Sequence, residues 1–321
     1  MLIKNKNLIL KPFLILIVIT TIFMLSACLP PEGEQNLSSN TNSNIKKLVG
    51  NQISHKRDNT DQTDFEKFVD ASVKQNSPFA EAARKNAATE RNLQWLFGKN
   101  LQSGWYLYKP LIAKEIGVQL NAAPTDFAEA LSRWQKSIGI QPTGVLDELT
   151  MFAFISEWQK DRLFNRGVPP DQQLLVAPPD DFYDSSRDIS LRQIERGTYD
   201  AFKRMIRAAA ADSSLKLKTS NGELSAAEKY LKIISSYRTR EHQQRLRAAS
   251  PNSGRAGLAV NSPHFTGRAL DIYVGGELVS TADANRAVQI NTPVYLWLVE
   301  NSEKFGFRPY FYEPWHWEYV P

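Results

Sequence analysis

The chain ends in Tyr-Glu-Pro-Trp-His-Trp-Glu-Tyr-Val-Pro, residues 312–321. Chain termini are usually polar and frayed. This one packs two glutamates, a histidine, two tryptophans and two tyrosines into ten positions. Aromatics at that density belong in a core, so the terminus is expected to be a buried strand. Pro314 has no N–H to give and cannot sit in a helix interior or a central strand, so the backbone must bend there. Beyond the bend, strand alternation sends Trp315, Trp317 and Tyr319 to one side and His316 and Glu318 to the other. In an unbroken strand Glu313 and His316 would face opposite sides. The bend lets both reach one point.

A second dense pattern lies upstream, Ser-Pro-His-Phe-Thr-Gly-Arg-Ala-Leu-Asp-Ile-Tyr-Val, residues 262–274. Leu270, Ile272 and Val274 alternate with Asp271 and Tyr273, which places Asp271 on a strand. Gly267 suits a turn that folds the segment back and sets His264 beside Asp271. An imidazole and a carboxylate at this spacing serve as two metal ligands, as a catalytic pair, or as a histidine held by a structural aspartate. Catalytic zinc takes three protein ligands and leaves a fourth position for water, and a free carboxylate must then accept that water's proton. His264, Asp271 and His316 fill the ligand positions and Glu313 that of the base. The other two of the four histidines, His55 and His242, have no partner pattern. Ser236 and Ser262 lack the Gly-x-Ser-x-Gly setting of a serine hydrolase.

Taken together, Ser236 to Arg238 followed by Gln243, then SPHFTGRALDI, then Trp297-Leu298 and Gly306-Phe307, then EPWHWEY resemble the VanY-type D-alanyl-D-alanine carboxypeptidases. The resemblance runs from about Leu191 to the C-terminus, and its paired motifs, S-x-H-x6-D and E-x-W-H in that order, are highly specific. It implies zinc held by His264, Asp271 and His316, with Glu313 as general base. Arg238 is implied as the electrophilic or carboxylate-binding group, and Gln243 and Ser262 as further substrate contacts. A fixed guanidinium at Arg238 would also suit the negative charge that peptide hydrolysis builds on the carbonyl oxygen. The segment GRAGLAVNSPH departs from the family pattern in lacking a Pro-Gly run before the Ser-x-His motif.

The front of the chain sets the compartment. Lys4, Lys6 and Lys11 precede an apolar run of 13 residues, Phe13 to Leu25. That run is short for a membrane span and right for a signal segment. Leu-Ser-Ala-Cys at 25–28 resembles the bacterial lipobox, which implies that Cys28 becomes the lipidated N-terminus of the mature protein. Cys28 is the only cysteine, so thiol chemistry elsewhere, including that of L,D-transpeptidases, is excluded. The formal charge of +5 falls to +2 once the three lysines of residues 1–27 are removed, which gives no nucleic-acid footprint. Leu29 rather than Asp follows Cys28, which by resemblance to Gram-negative lipoproteins favours an outer-membrane anchor facing the periplasm.

Residues 28–63 are rich in Asn, Ser and Gln and read as a disordered tether. Residues 64–167 read as an all-helical module. Phe65, Phe68, Val69 and Val73 repeat at helical spacing, and a second helix is expected from about Phe79 to Leu96. Thr125 is expected to cap a helix carrying Phe127, Ala130, Leu131 and Trp134, with Gly139 as its stop. Asp147 should start the next helix. The run from Phe127 to Thr150 resembles the peptidoglycan-binding-domain-1 repeat through Leu131, Trp134, Gln135, Gly139, Pro142, Thr143, Gly144, Leu146, Asp147 and Thr150. Residues 168–189, with two Pro-Pro pairs, read as a linker, and residues 190–321 as the metallopeptidase domain. The fold class expected is α+β, a small antiparallel sheet bearing zinc and covered by helices, after the helical module.

The resulting expectation is a zinc D,D-carboxypeptidase on peptidoglycan stem peptides, with glycan as a partner of the module and the membrane reached through the lipid. An endopeptidase or L,D-carboxypeptidase on the same site is the alternative within the chemistry. A non-catalytic wall-binding lipoprotein with a structural zinc is the alternative outside it, and a free Glu313 argues against that one. Deletion of residues 312–321 should abolish both folding and activity. A truncated chain that kept a cooperative thermal transition and hydrolysed its substrate would contradict the placement of the terminus in the core.

Overall fold

The computed structural model describes residues 77–250 and 258–321. Cys28, His55, Phe65, Phe68, Val69 and Val73 lie outside the described residues. All the described residues fall within one compact unit. In chain order the elements are α1 (Ala80–Thr89), β1 (Gln94–Phe97), β2 (Asn100–Ser103), α2 (Lys109–Ile116), α3 (Pro124–Ser137) and α4 (Glu148–Lys160). There follow β3 (Leu174–Val176), β4 (Gln193–Glu195), α5 (Arg196–Ala211), β5 (Thr219–Ser220), β6 (Glu223–Leu224) and β7 (Ile233–Ser235). The chain finishes with α6 (Arg240–Ala249), β8 (Ala269–Ile272), α7 (Asp283–Ile290), α8 (Pro293–Asn301), β9 (Phe307–Pro309) and β10 (His316–Tyr319).

The fold is α+β, as expected, but the N-terminal part is not all-helical. The helix expected to run to Leu96 stops at Thr89. Gln94–Phe97 instead pairs antiparallel with Asn100–Ser103. Gly98 takes φ +61 in the two-residue Gly98-Lys99 loop, the backbone that tight hairpins require and that glycine adopts without strain. Thr125 is not the cap of α3. Ala123 is, with Pro124 in the first turn, where a missing N–H costs nothing. Asp147 does cap α4, accepting from the Thr150 N–H at 2.8 Å, and Gly139 follows α3 with φ +79.

The functional end is organised by a four-stranded antiparallel sheet in the order β7-β8-β10-β9. All four residues of β8 are buried, so it reads as an apolar strand interrupted by one carboxylate. In β10, His316, Trp317 and Glu318 are buried, and the terminus is a core strand. The register sets His316 opposite Asp271, Trp317 opposite Leu270 and Glu318 opposite Ala269. Directly opposed residues hold their Cβ atoms about 5 Å apart, so the pairing alone brings two candidate ligands together. Helix α5 covers the layer with a stripe of Ala201, Phe202, Met205, Ile206 and Ala209, all buried. Its start is fixed by the Glu195 carboxylate, which accepts from the Gly197 and Thr198 N–H groups.

The N-terminal part and the sheet share one hydrophobic core, from Trp95 through Trp134 and Phe202 to Trp317. Phe311, two residues before Glu313, is held by rings from that N-terminal part: Phe97 at 5.1 Å, Tyr108 at 5.7 Å and Trp158 at 6.0 Å between centroids. Arg286 of α7 donates to the Tyr108 hydroxyl at 3.0 Å and lies over the Tyr312 ring at 4.4 Å. The Pro-rich segment carries β3, which pairs with β4, and buries Leu174, Ala177 and Phe182.

Candidate active site

Three chain segments converge on one buried point. Asp271 comes from β8 and His316 from β10, brought together by the register. His264 comes from a 3-10 turn, Pro263–Thr266, that leads into β8. Ser262 caps the turn by accepting from the His264 N–H at 3.3 Å. Gly267 ends it at φ +66, where a Cβ would meet the Glu195 backbone nitrogen at 2.9 Å, so the close approach of this turn to β4 demands glycine. The ligand atoms of His264, Asp271 and His316 all lie within 4.8 Å of one another.

Asp271 sits at the centre. Its Oδ1 lies 2.9 Å from His316 Nδ1 and 3.3 Å from His264 Nε2, and its Oδ2 accepts from Arg238 Nη2 at 2.7 Å. Burial alone would raise this carboxyl, but His264, His316 and Arg238 outweigh it and hold it well below the usual range. His264 Nδ1 lies 2.8 Å from the Ser236 carbonyl. A carbonyl only accepts, so Nδ1 carries the proton and Nε2 turns a lone pair inward. Burial, helped by Arg238, lowers the imidazole to about 4, which keeps it neutral. On His316 the outer nitrogen, Nε2, faces Glu318 Oε1 at 3.3 Å. Burial opposes charge there, but the hydrogen bonds to Asp271 and Glu318 prevail and hold the ring up to about 9.

This donor set fits a divalent metal. Two imidazoles and a carboxylate converge, and each imidazole has its far nitrogen tied to an acceptor, as metal-binding histidines do. Two carboxylates flanking His316 also call for a cation between them. A metal would replace the proton on Nδ1, in line with the proton release that accompanies metal binding.

Glu313 lies in the tight loop joining β9 to β10. Its N–H donates to the Tyr310 carbonyl at 3.1 Å, and the His316 N–H donates to the Glu313 carbonyl at 2.9 Å. The bend falls at Pro314, whose carbonyl accepts from Trp317 Nε1 at 3.2 Å. The Glu313 carboxylate is buried and its Oε1 has no hydrogen-bond partner. Burial, opposed by His316, raises it to about 7. Glu313, His264, Asp271, His316, Arg238 and Ser262 all line one cavity of about 1050 Å³.

Two residues expected from the resemblance to touch substrate are placed differently. Gln243 is buried, accepts from Arg238 Nη1 at 3.3 Å and donates to the Ala259 carbonyl at 2.9 Å, so both ends of its amide are engaged within the protein. Arg238 reaches the cavity, but it also holds Asp271, and its Nε donates to Ser235 Oγ at 2.9 Å. His242, read as a bystander, lines the cavity. Tyr310 does too, with its ring edge-on to His316 at 5.9 Å between centroids.

The residue that sequence reasoning missed is Arg162, just beyond α4. Its Nε donates to Glu318 Oε1 at 3.1 Å, and its Nη2 pairs with the same oxygen. The Leu163 N–H donates to Glu318 Oε2 at 3.0 Å. Arg162 also lies over the Tyr310 ring at 4.0 Å. Glu318 is fully buried, and burial would raise its carboxyl, but His316 and Arg162 pull it down. The chain from Arg162 through Glu318 to His316 Nε2 therefore begins 156 residues before the carboxylate it holds. Only the alternation that put Glu318 on the His316 face hinted at it.

Residues 192–321 match the family model of VanY, D-alanyl-D-alanine carboxypeptidase. The VanY match takes in β7, β8, β9 and β10 and every residue of the convergence just described except Arg162. No curated protein matches the chain. Glu318→Gln should weaken zinc affinity about 10- to 100-fold, the usual effect of losing an outer-shell partner, while the fold is kept. Arg162→Ala should cost about 3–5 kcal/mol of stability by stranding a buried charge. Chelator competition and chemical denaturation measure the two effects. Unchanged zinc affinity in the glutamine variant would remove Glu318 from the site.

Proposed function

We propose that the protein is a zinc-dependent D,D-carboxypeptidase that removes the terminal D-Ala from peptidoglycan stem peptides. The observation that carries the reading is the buried carboxylate of Glu313. It has an unpartnered oxygen and shares a cavity with the His264, Asp271 and His316 group. A structural metal site has no use for a free base, which sets aside the non-catalytic reading. The VanY match supports the substrate class.

His264 Nε2, an Asp271 oxygen and His316 Nδ1 would hold the metal. The chemistry that zinc supplies when bound at such a site is polarisation of the scissile carbonyl and acidification of a water. Glu313, raised to about 7 by its burial, has the affinity for a proton that a base near neutral pH needs. It would take the proton from the attacking water and pass it to the leaving amine. Arg238 has N–H donors beyond the three engaged with Ser235, Gln243 and Asp271, and at the cavity wall these would stabilise charge developing on the carbonyl oxygen. Ser262 stands on the same wall. Ser236 and Glu318 act through the imidazoles they orient.

In this reading the enzyme works outside the cytoplasm, held by a lipid on Cys28 and facing the periplasm from the outer membrane. A role for the N-terminal part in glycan binding is also proposed, but it would not run through Trp134. That ring is buried and stacks on Phe154 at 3.8 Å.

The test uses the protein from Ser38 onward, loaded with zinc and given defined muropeptides, with products followed by mass spectrometry. Loss of one alanine from a pentapeptide is expected, and Glu313→Gln should slow it about 10²- to 10⁴-fold while zinc is retained. Cleavage confined to tetrapeptides or cross-linked dimers would move the scissile bond. Zinc-loaded protein that cut no substrate would overturn the hydrolase.

A further inference from the structure

Four arginines line the cavity: Arg162, Arg166, Arg187 and Arg238. Two are neutralised by buried carboxylates, Arg162 by Glu318 and Arg238 by Asp271. Among the described residues, the other two have no ion-pair partner. Arg166 donates from Nε to the Leu163 carbonyl at 3.2 Å and from Nη1 to the Asn261 carbonyl at 2.6 Å. Arg187 donates from Nε to the Leu191 carbonyl at 3.1 Å. These bonds to neutral carbonyls fix the two side chains and leave Nη2 of Arg166 and both terminal nitrogens of Arg187 without a partner among the described residues.

Both side chains are half-buried, and for both the loss of solvent works against the charge. A cation kept partly out of water without a counter-charge is unfavourable by itself. An anion arriving in the cavity would relieve it, and a guanidinium with free terminal N–H groups is shaped for a carboxylate. The two arginines belong to opposite ends of the metal-binding group. The charged neighbours acting on Arg187 are Arg238, Asp271 and Asp184. Asp184 is exposed and accepts from Ser186 at 2.6 Å; it makes no ion pair with Arg187. Those acting on Arg166 are Arg162, Glu318 and Tyr310. Neither arginine lies in the stretch that matches VanY, so both are features this chain adds around the shared site.

We infer that Arg166 and Arg187 are two carboxylate subsites flanking the hydrolytic centre, selecting peptides with one free carboxylate on each side of the scissile bond. One is the peptide's own C-terminus and the other an acidic group upstream. The inference rests on the hydrolase reading for the scissile bond but not for the binding pattern.

The experiment measures binding to zinc-loaded Glu313→Gln protein by calorimetry. The probes are a stem pentapeptide with both carboxylates free, the two singly amidated forms and the doubly amidated form. Each amidation should weaken binding roughly 10- to 100-fold, the range for a hydrogen bond to a charged group. Adding Arg187→Gln should erase the response to one amidation and Arg166→Gln the response to the other. Arg→Lys at either position keeps the charge and should retain most of the response, which a merely structural loss would not. Binding indifferent to both amidations, or glutamine variants that respond as the parent does, would overturn the inference. If the wild type cut the pentapeptide but showed no carboxylate preference, the hydrolase would stand and the subsites would fall. If binding followed the expected pattern and the wild type cut nothing, the subsites would stand and the hydrolase would fall.

Discussion

A single buried carboxylate holds the site together. Asp271 faces His316 at 2.9 Å, His264 at 3.3 Å and Arg238 at 2.7 Å. A charge so deep is tolerable only when paired and hydrogen-bonded, and each partner is delivered by a different device. His316 arrives through strand register, His264 through a glycine-terminated turn, and Arg238 from the segment between β7 and α6. A one-residue slip between β8 and β10 would turn Asp271 or His316 to the opposite face of the sheet. The apolar neighbours Leu270 and Trp317, fully buried and opposite each other, make such a slip costly, so the aromatic terminus and the chemistry depend on the same pairing.

The N-terminal part is bound into this arrangement. Arg162 neutralises the carboxylate that orients His316, and Phe97, Tyr108 and Trp158 hold Phe311 in the loop that presents Glu313. The strand-and-helix layer that matches VanY would, without these groups, keep its ligands but lose one outer-shell support and the clasp on its base. A module acquired for wall binding would have no need of such contacts. They make it part of the catalytic body, whatever else it binds.

The ligand group and the base were legible because they rest on local rules: alternation places Asp271, a proline bends the chain between Glu313 and His316, and a glycine turns His264 back. The α+β class followed from the same patterns. What was not legible depended on distance or on competition between local structures. The segment from Leu93 to Phe97 carries helical spacing, yet it is a strand, because Gly98 permits a hairpin that buries Trp95. Thr125 looked like a cap, but Pro124 is better suited to the first turn. Gln243 carries the right residue type for a substrate contact, and only the packing shows its amide used up between Arg238 and Ala259. Nothing in the sequence near Glu318 points to Arg162, because no pattern encodes a contact across 156 residues.

The most direct test of the whole account is to crystallise the protein with zinc and locate the metal from its anomalous scattering. The account predicts one strong site bounded by His264 Nε2, an Asp271 oxygen and His316 Nδ1, with Glu313 close by and not coordinated. Zinc bound elsewhere, or a fourth protein ligand closing the site, would contradict it.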